Sequence, residues 1–383
     1  TTATTTTTTT TLCALVVRVV DANGVGPTAS VKELENDVFG DQVCLGTQFE
    51  ACSHGKLKVV PFSGTTDTHL KIPNGVVEVV VPNFGVSSNT NANALQQAVQ
   101  VAAKNALGEL VGNGGKHKGN DETSKFDLVM FCMPPGTLLN GKPWLAHAFA
   151  GGKFSFYNNF CSSVSIQLHE VGHNLGLAHS GNRETAYGDQ QGWMGSSNSR
   201  DDMRICFNPA KNYQLGWYDD RVKTIDPLGV GGSGSGVATQ TFFLNGVADY
   251  NSNDDDDDDD NDDALVVLRL QQTSLVPDYY IGYNLRKGVN ADAHQDWDKI
   301  TVVRKDEGGP NEYGKSTKVA SLYVGQSYII KDFNHHHHHQ QQQQQQQERP
   351  VVRRACRSKR IRICSGANTF GTRISKTFVT TMC

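Results

Sequence analysis

The chain has 383 residues, enough for two or three domains of usual size, and with 37% hydrophobic and 19% charged residues it can build a sizeable core, which excludes global disorder. Its formal net charge of -4 conceals two opposed blocks, nine Asp within residues 254–263 and nine Lys/Arg with no acid within residues 349–383, so the total says little about partners. No run of about 20 apolar residues marks a membrane span.

The chain begins at Thr1 with no signal peptide, which reads as a processed form or a fragment. Residues 1–11 are almost all Thr and form a low-complexity segment. Leu12–Val20 is a strand candidate, and Ser30–Phe39 reads as a short helix. Cys44 and Cys52 flank a predicted loop. The β-branched runs Lys56–Phe62 and Val76–Val81 read as strands. Across Ala92–Val111 the apolar positions Leu95, Val99, Ala102, Ala106 and Leu110 follow the helical period. Phe126–Met133 reads as a buried strand, ended by two prolines, and Trp144–Phe149 and Lys153–Tyr157 follow. Ser163–Leu175 reads as a second strong helix, because Val164, Leu168, Val171 and Leu175 form one apolar stripe. The Gly/Ser stretch 229–236 reads as a linker.

Beyond the linker the period changes. Val237–Leu244, Ala264–Gln271, Tyr279–Leu285, Ile300–Val303 and Ser327–Ile330 read as short strands of a β-rich domain over 237–383, with a sandwich as its expected form. The Asp run reads as a solvated loop. It lacks the Gly and terminal Glu of a calcium-binding EF-hand loop. The five His and eight Gln of residues 335–347 read as a low-complexity insertion. The basic tail reads as a hairpin pinned by Cys356 and Cys364 rather than as a nucleic-acid contact, so no nucleic-acid partner is expected. Nine Cys are scattered with no CxxC, which fits a secreted chain with disulfides. Sequence does not fix their pairing. A bridge from Cys161 to Cys206 is one expectation, since these two bracket the segment described next.

Residues 167–180, QLHEVGHNLGLAHS, carry the chemistry. His169 and His173 are four apart on a predicted helix, so both imidazoles can reach one metal ion. Glu170 lies beside the first of them. Gly176 stands where the helix must stop and turn, and His179 returns as a third ligand. Three neutral nitrogens leave a position open, as a catalytic zinc site requires. An ordinary amphipathic helix could hold a bare HExxH by chance, but the added Gly and His make chance a weak rival.

The extended string HExxHxxGxxH is similar to the signature of metzincin metalloproteases. Met194, fifteen residues after His179 in GWMGS, matches the Met-turn of that clan, and would support the site by packing. Ser196 stands where some metzincins carry a Tyr. The strings QLHEVGHNLGLAHSG, YGDQQGWMG, CFNPAKNYQLGWY and YYIGYNLRKG resemble the gametolysin family of cell-wall metalloproteases, over roughly residues 12 to 333.

The resemblance implies an α+β fold. A metzincin-like catalytic domain over 12–228, with a twisted sheet and an active-site helix, would precede the β-rich domain. It implies one zinc ion on His169, His173 and His179, which would lower the pKa of a bound water and polarise the scissile carbonyl. Glu170 would act as general base and pass the proton to the leaving amine. Trp144–Phe149 resembles the upper-rim strand of the matrixin cleft, where Leu145, Ala146 and Ala148 would pair with substrate backbone. His147 reads as a structural or surface residue. The expected function is a secreted metalloendopeptidase acting on extracellular matrix or cell-wall glycoproteins. The alternative is a catalytically inactive wall or adhesion protein that keeps the fold.

Overall fold

The computed structural model describes residues 9–87, 89–108, 125–195, 202–227, 239–251, 264–272, 277–305, 314–331, 333, 360–365 and 376–382. Most of the Thr run, the expected linker at 229–236, the Asp run, the His/Gln run and Cys356 lie outside the described residues. Helices and strands are mixed, consistent with an α+β chain. The chain divides into two compact units. One holds Thr1–Phe207 with Arg286–Gln295 and Asn311–Lys315. The other holds Asn208–Leu285, Asp296–Pro310 and Ser316–Cys383.

In the first unit the elements are β1 (Thr10–Val20), α1 (Val31–Glu35), α2 (Leu45–Cys52), β2 (Leu57–Pro61), β3 (Val76–Val80), α3 (Ala92–Leu107), β4 (Leu128–Met133), β5 (Ala146–Ala148), β6 (Phe154–Asn158) and α4 (Val164–Asn174). They form a sheet in the order β2-β1-β4-β6-β5. The long strand β1 pairs in parallel with β2 along its first half and with β3 along its second, and with β4 on its other side. β6 is parallel to β4, and β5 closes the edge antiparallel to β6.

A parallel sheet is covered on both faces, so its strands read as nearly unbroken apolar runs. Accordingly all six residues of β4 are buried. The alternate residues Leu15, Val17, Val19, Val129, Phe131, Phe154 and Phe156 share one core with Leu95, Val99, Ala103 and Leu107 of α3. Each such side chain contributes roughly 1.5–3 kcal/mol by leaving water. The helices α2 and α4 pack against each other, and α4 lies against β5 and β6.

Two expectations are corrected here. Residues 45–52 are the helix α2 and not a loop. The Thr47 hydroxyl accepts the Cys44 amide at 2.9 Å and satisfies a donor before the first turn, a local closure that apolar periodicity does not register. The second correction concerns the bridge between Cys161 and Cys206. Among the described residues, disulfides join Cys52 to Cys206 and Cys132 to Cys161. Cys132 lies on β4, and Cys161 three residues before α4, so sheet neighbours decide the pairing rather than position around the motif.

The second unit contains α5 (Pro209–Leu215), β7 (Val222–Ile225), β8 (Thr239–Leu244), β9 (Val267–Leu270), β10 (Asp278–Tyr283), β11 (Ile300–Lys305), β12 (Ser316–Leu322), β13 (Ser327–Lys331), β14 (Arg360–Ser365) and β15 (Lys376–Met382). Its strands form the runs β12-β11-β10-β9-β7 and β8-β15-β14-β13. Phe242 and Leu244 of β8 and Ile330 of β13 share one core with Leu268, Ile281, Ile300 and Val302. Sequence patterning missed α5. Its start follows from Asn208, whose side chain accepts the Lys211 amide at 3.0 Å, with Pro209 in the first turn.

Candidate metal centre

The helix α4 is buried along its whole length, which suits a helix that carries an apolar stripe on one face and a site on another. It ends by a Schellman closure. The Leu177 amide reaches back to the Gly172 carbonyl at 2.9 Å, and the Gly176 amide to the His173 carbonyl at 2.8 Å. Gly176 sits at φ +86°, the left-handed region that a side chain resists. This closure turns the chain sharply and brings His179 back toward the helix.

One ring nitrogen from each of His169, His173 and His179 lies within 4.8 Å of the others. The His169 Nδ1 is 2.7 Å from the Trp193 carbonyl, and the His173 Nδ1 is 2.7 Å from the Leu177 carbonyl. A carbonyl only accepts, so in both rings Nδ1 carries the proton and Nε2 keeps its lone pair. The His173 and His179 Nε2 atoms are 3.1 Å apart, so these two rings approach each other through their nitrogens. Burial, and next the His173 charge, push the His169 pKa down to about 3, with the Trp193 carbonyl pulling the other way and His179 adding to the downward push. The ring is therefore neutral at neutral pH, the form that ligates a metal. This donor set fits a divalent ion that accepts imidazole ligands.

Glu170 is 6% exposed, and among the described residues its Oε2 has no hydrogen-bond partner. Burial lifts its pKa to about 8. A buried carboxyl with an unmet oxygen costs stability, and such groups concentrate where chemistry is done.

Met194 is 1% exposed and packs under α4, since a Cβ added to Gly172 would meet its Sδ at 2.5 Å. The Ser180 amide reaches the Met194 carbonyl at 2.6 Å, which fixes the turn to the residue after the third His. Ser196 lies outside the described residues. Ala146 and Ala148 lie on the edge strand β5, and Leu145, just before it, is exposed and offers its carbonyl to the Asn158 amide at 2.8 Å. His147 is not part of the three-His group. Its Nε2 is 2.7 Å from the Gln96 Nε2, and its ring packs against Trp144, Phe149 and Phe156.

Three contributors escape sequence reasoning. Asn174, one residue past His173, donates to the Phe149 carbonyl at 3.3 Å and to the Phe154 carbonyl at 3.1 Å. The Gly151 amide donates to the His173 carbonyl at 2.9 Å. Together they tie the β5–β6 hairpin to the helix. The third is Tyr187, whose ring lies 4.2 Å from that of His179 and 6.0 Å from that of His169.

Comparison with protein-family models gives a match to the gametolysin peptidase M11 family over residues 13–329, well over half of the chain. The chain belongs to this family. Searches of curated proteins and of solved structures gave no match. For a member of the M11 family, the three-His cluster is the group that can hold the metal ion of a metallopeptidase, and protein is the substrate class. No helix among the described residues is long and apolar enough to cross a membrane.

Proposed function

We propose that this chain is a secreted zinc endopeptidase that cleaves matrix or cell-wall glycoproteins, and that residues 169–179 carry its chemistry. The carrying observation is the gathering of one ring nitrogen from each of His169, His173 and His179 within 4.8 Å of one another, with Glu170, next in sequence to the first, buried and its Oε2 without a hydrogen-bond partner among the described residues. His169, His173 and His179 would hold the zinc ion, with their Nδ1 protons engaged away from it in the first two. The ion supplies Lewis acidity when bound. Glu170, its pKa pushed up by burial, would be favoured in its ionised, proton-accepting form with a divalent cation held nearby.

Glu170 takes a proton from the attacking water and later delivers it to the nitrogen of the breaking C–N bond. Water and peptide become a carboxylic acid and an amine, with no covalent enzyme intermediate. Substrate in extended form pairs with the edge of β5, where Ala146 and Ala148 supply main-chain partners, and Leu145, whose carbonyl is held by Asn158, flanks them with its exposed side chain. Two disulfides support an oxidising, extracellular location.

The test is direct. Full-length protein should bind one zinc ion, cleave casein, lose activity with a chelator and regain it with added zinc. Glu170→Ala should keep the zinc and lose turnover by about 10²–10⁴-fold, the range for a general base. Substantial proteolysis in that variant, or full activity in excess chelator, overturns the reading.

A further inference from the structure

Tyr187 is the most unusual side chain near the triad. Its ring lies over His179 at 4.2 Å, tilted by 45°, and near His169 at 6.0 Å, yet the residue is 47% exposed. An aromatic side chain half in water gains little from burial, so its place calls for another account.

The loop that carries it is specifically built. Residue 180 leaves the third His, and the Asp189 amide returns to the Ser180 carbonyl at 3.3 Å. Between them Asn182 pins the turn. Its Oδ1 accepts the Glu184 amide at 2.9 Å and the Thr185 amide at 2.8 Å, while its own amide donates to the Thr185 carbonyl at 3.0 Å. The Gly188 amide adds a bond to the Thr185 carbonyl at 3.2 Å. This turn swings Tyr187 back over the ligand that begins the loop.

Peptide hydrolysis at the triad builds negative charge on the scissile carbonyl oxygen, and a preorganised donor there accelerates the step. Four of the side chains described at the site are otherwise engaged or have no donor. The Nδ1 protons of His169 and His173 are spent on the carbonyls of Trp193 and Leu177. Glu170 handles the water proton, and Met194 has no donor. A phenol stays protonated at neutral pH and donates through its O–H.

We propose that Tyr187 is a catalytic residue whose hydroxyl donates a hydrogen bond to the scissile carbonyl oxygen as that oxygen becomes an oxyanion. The phenol keeps its proton throughout. The bond strengthens as charge develops and relaxes when the C–N bond breaks. The ring meanwhile flanks His179 and forms one wall of the substrate site. This assignment rests on the endopeptidase reading given above.

The test uses Tyr187→Phe in the full chain, which keeps the ring and removes only the hydroxyl. Zinc content and melting temperature should match the wild type. Turnover of a fluorogenic peptide should fall about 100-fold in kcat, as for loss of one oxyanion donor, with KM nearly unchanged. Calorimetric affinity for a phosphinic peptide, whose tetrahedral oxygens stand in for the oxyanion, should fall in parallel, whereas zinc affinity measured with a chelator should not. Tyr187→Ala should lose at least as much kcat. A Tyr187→Phe variant with wild-type kcat and inhibitor affinity overturns the proposal while leaving the endopeptidase reading intact. A wild-type chain that neither binds zinc nor cleaves peptides overturns both.

Discussion

Gly172 sits in the interior of α4, the helix that carries His169 and His173, where helix propensity alone would favour alanine by about 1 kcal/mol. Packing argues the other way. The added Cβ would lie 2.5 Å from the Sδ of Met194, which is itself buried and unable to swing into water. Overpacking of this kind costs roughly 1–3 kcal/mol, so the steric term wins or at least cancels the propensity gain. Gly172→Ala is therefore expected to lower the melting temperature of the zinc-free protein and to weaken zinc retention against a chelator, because Trp193, next to Met194, orients His169. A variant that melts at or above the wild type and holds zinc equally well removes the Met194 contact as a support. At this scale the approach of His169 and His173 was legible in advance, since i, i+4 spacing on a helix fixes which imidazoles converge. Tyr187 was not. Its position depends on a turn closed by the Asn182 side chain, and no periodicity reports such a closure.

Elements depend on how their ends are satisfied, and the residue after β1 shows this. Asp21 is buried at the strand's end and accepts backbone amides from Asn23 at 2.8 Å, Val25 at 2.7 Å and Val86 at 2.7 Å. Burial pushes its carboxyl pKa up, but the three amides outweigh it and hold the pKa below the usual carboxylate value. Because the folded-state pKa is depressed, the stabilisation is fully present above the unfolded value near 4 and is lost as pH falls through the folded value. Asp21→Asn keeps one acceptor oxygen and removes the charge, so it should destabilise by about 1–3 kcal/mol at neutral pH. The gap to wild type should narrow as pH drops below about 4. Urea denaturation across that range measures it, and a gap that widens toward acid contradicts the linkage. The strands β1, β3 and β4 were legible because parallel sheets demand apolar runs. The helices α2 and α5 were hidden because they are short and begin on side-chain caps rather than on a long apolar stripe.

Across the whole molecule the covalent links were the least legible feature, because disulfide pairing follows neighbours in space, and nine cysteines allow many pairings. The bridge between Cys52 and Cys206 spans 154 residues and closes the loop that contains the three His. It also reaches the metal centre through hydrogen bonds. The Cys206 carbonyl accepts the Trp193 amide at 3.3 Å, and the Trp193 carbonyl accepts the His169 Nδ1 at 2.7 Å. Removing the link should therefore act twice. Freeing a loop of this length costs about 4–5 kcal/mol of stability by chain entropy alone. Loosening the carbonyl that orients His169 should weaken zinc binding by about 10–100-fold, the usual effect of disturbing a ligand's hydrogen-bond partner. The double variant Cys52→Ser/Cys206→Ser tests both, by denaturant unfolding of the zinc-free protein and by zinc competition with a chelator at a temperature where the variant stays folded. Loss of stability with zinc affinity unchanged would show that the bridge braces the unit without reaching His169, whereas parallel losses support one continuous path from disulfide to ligand.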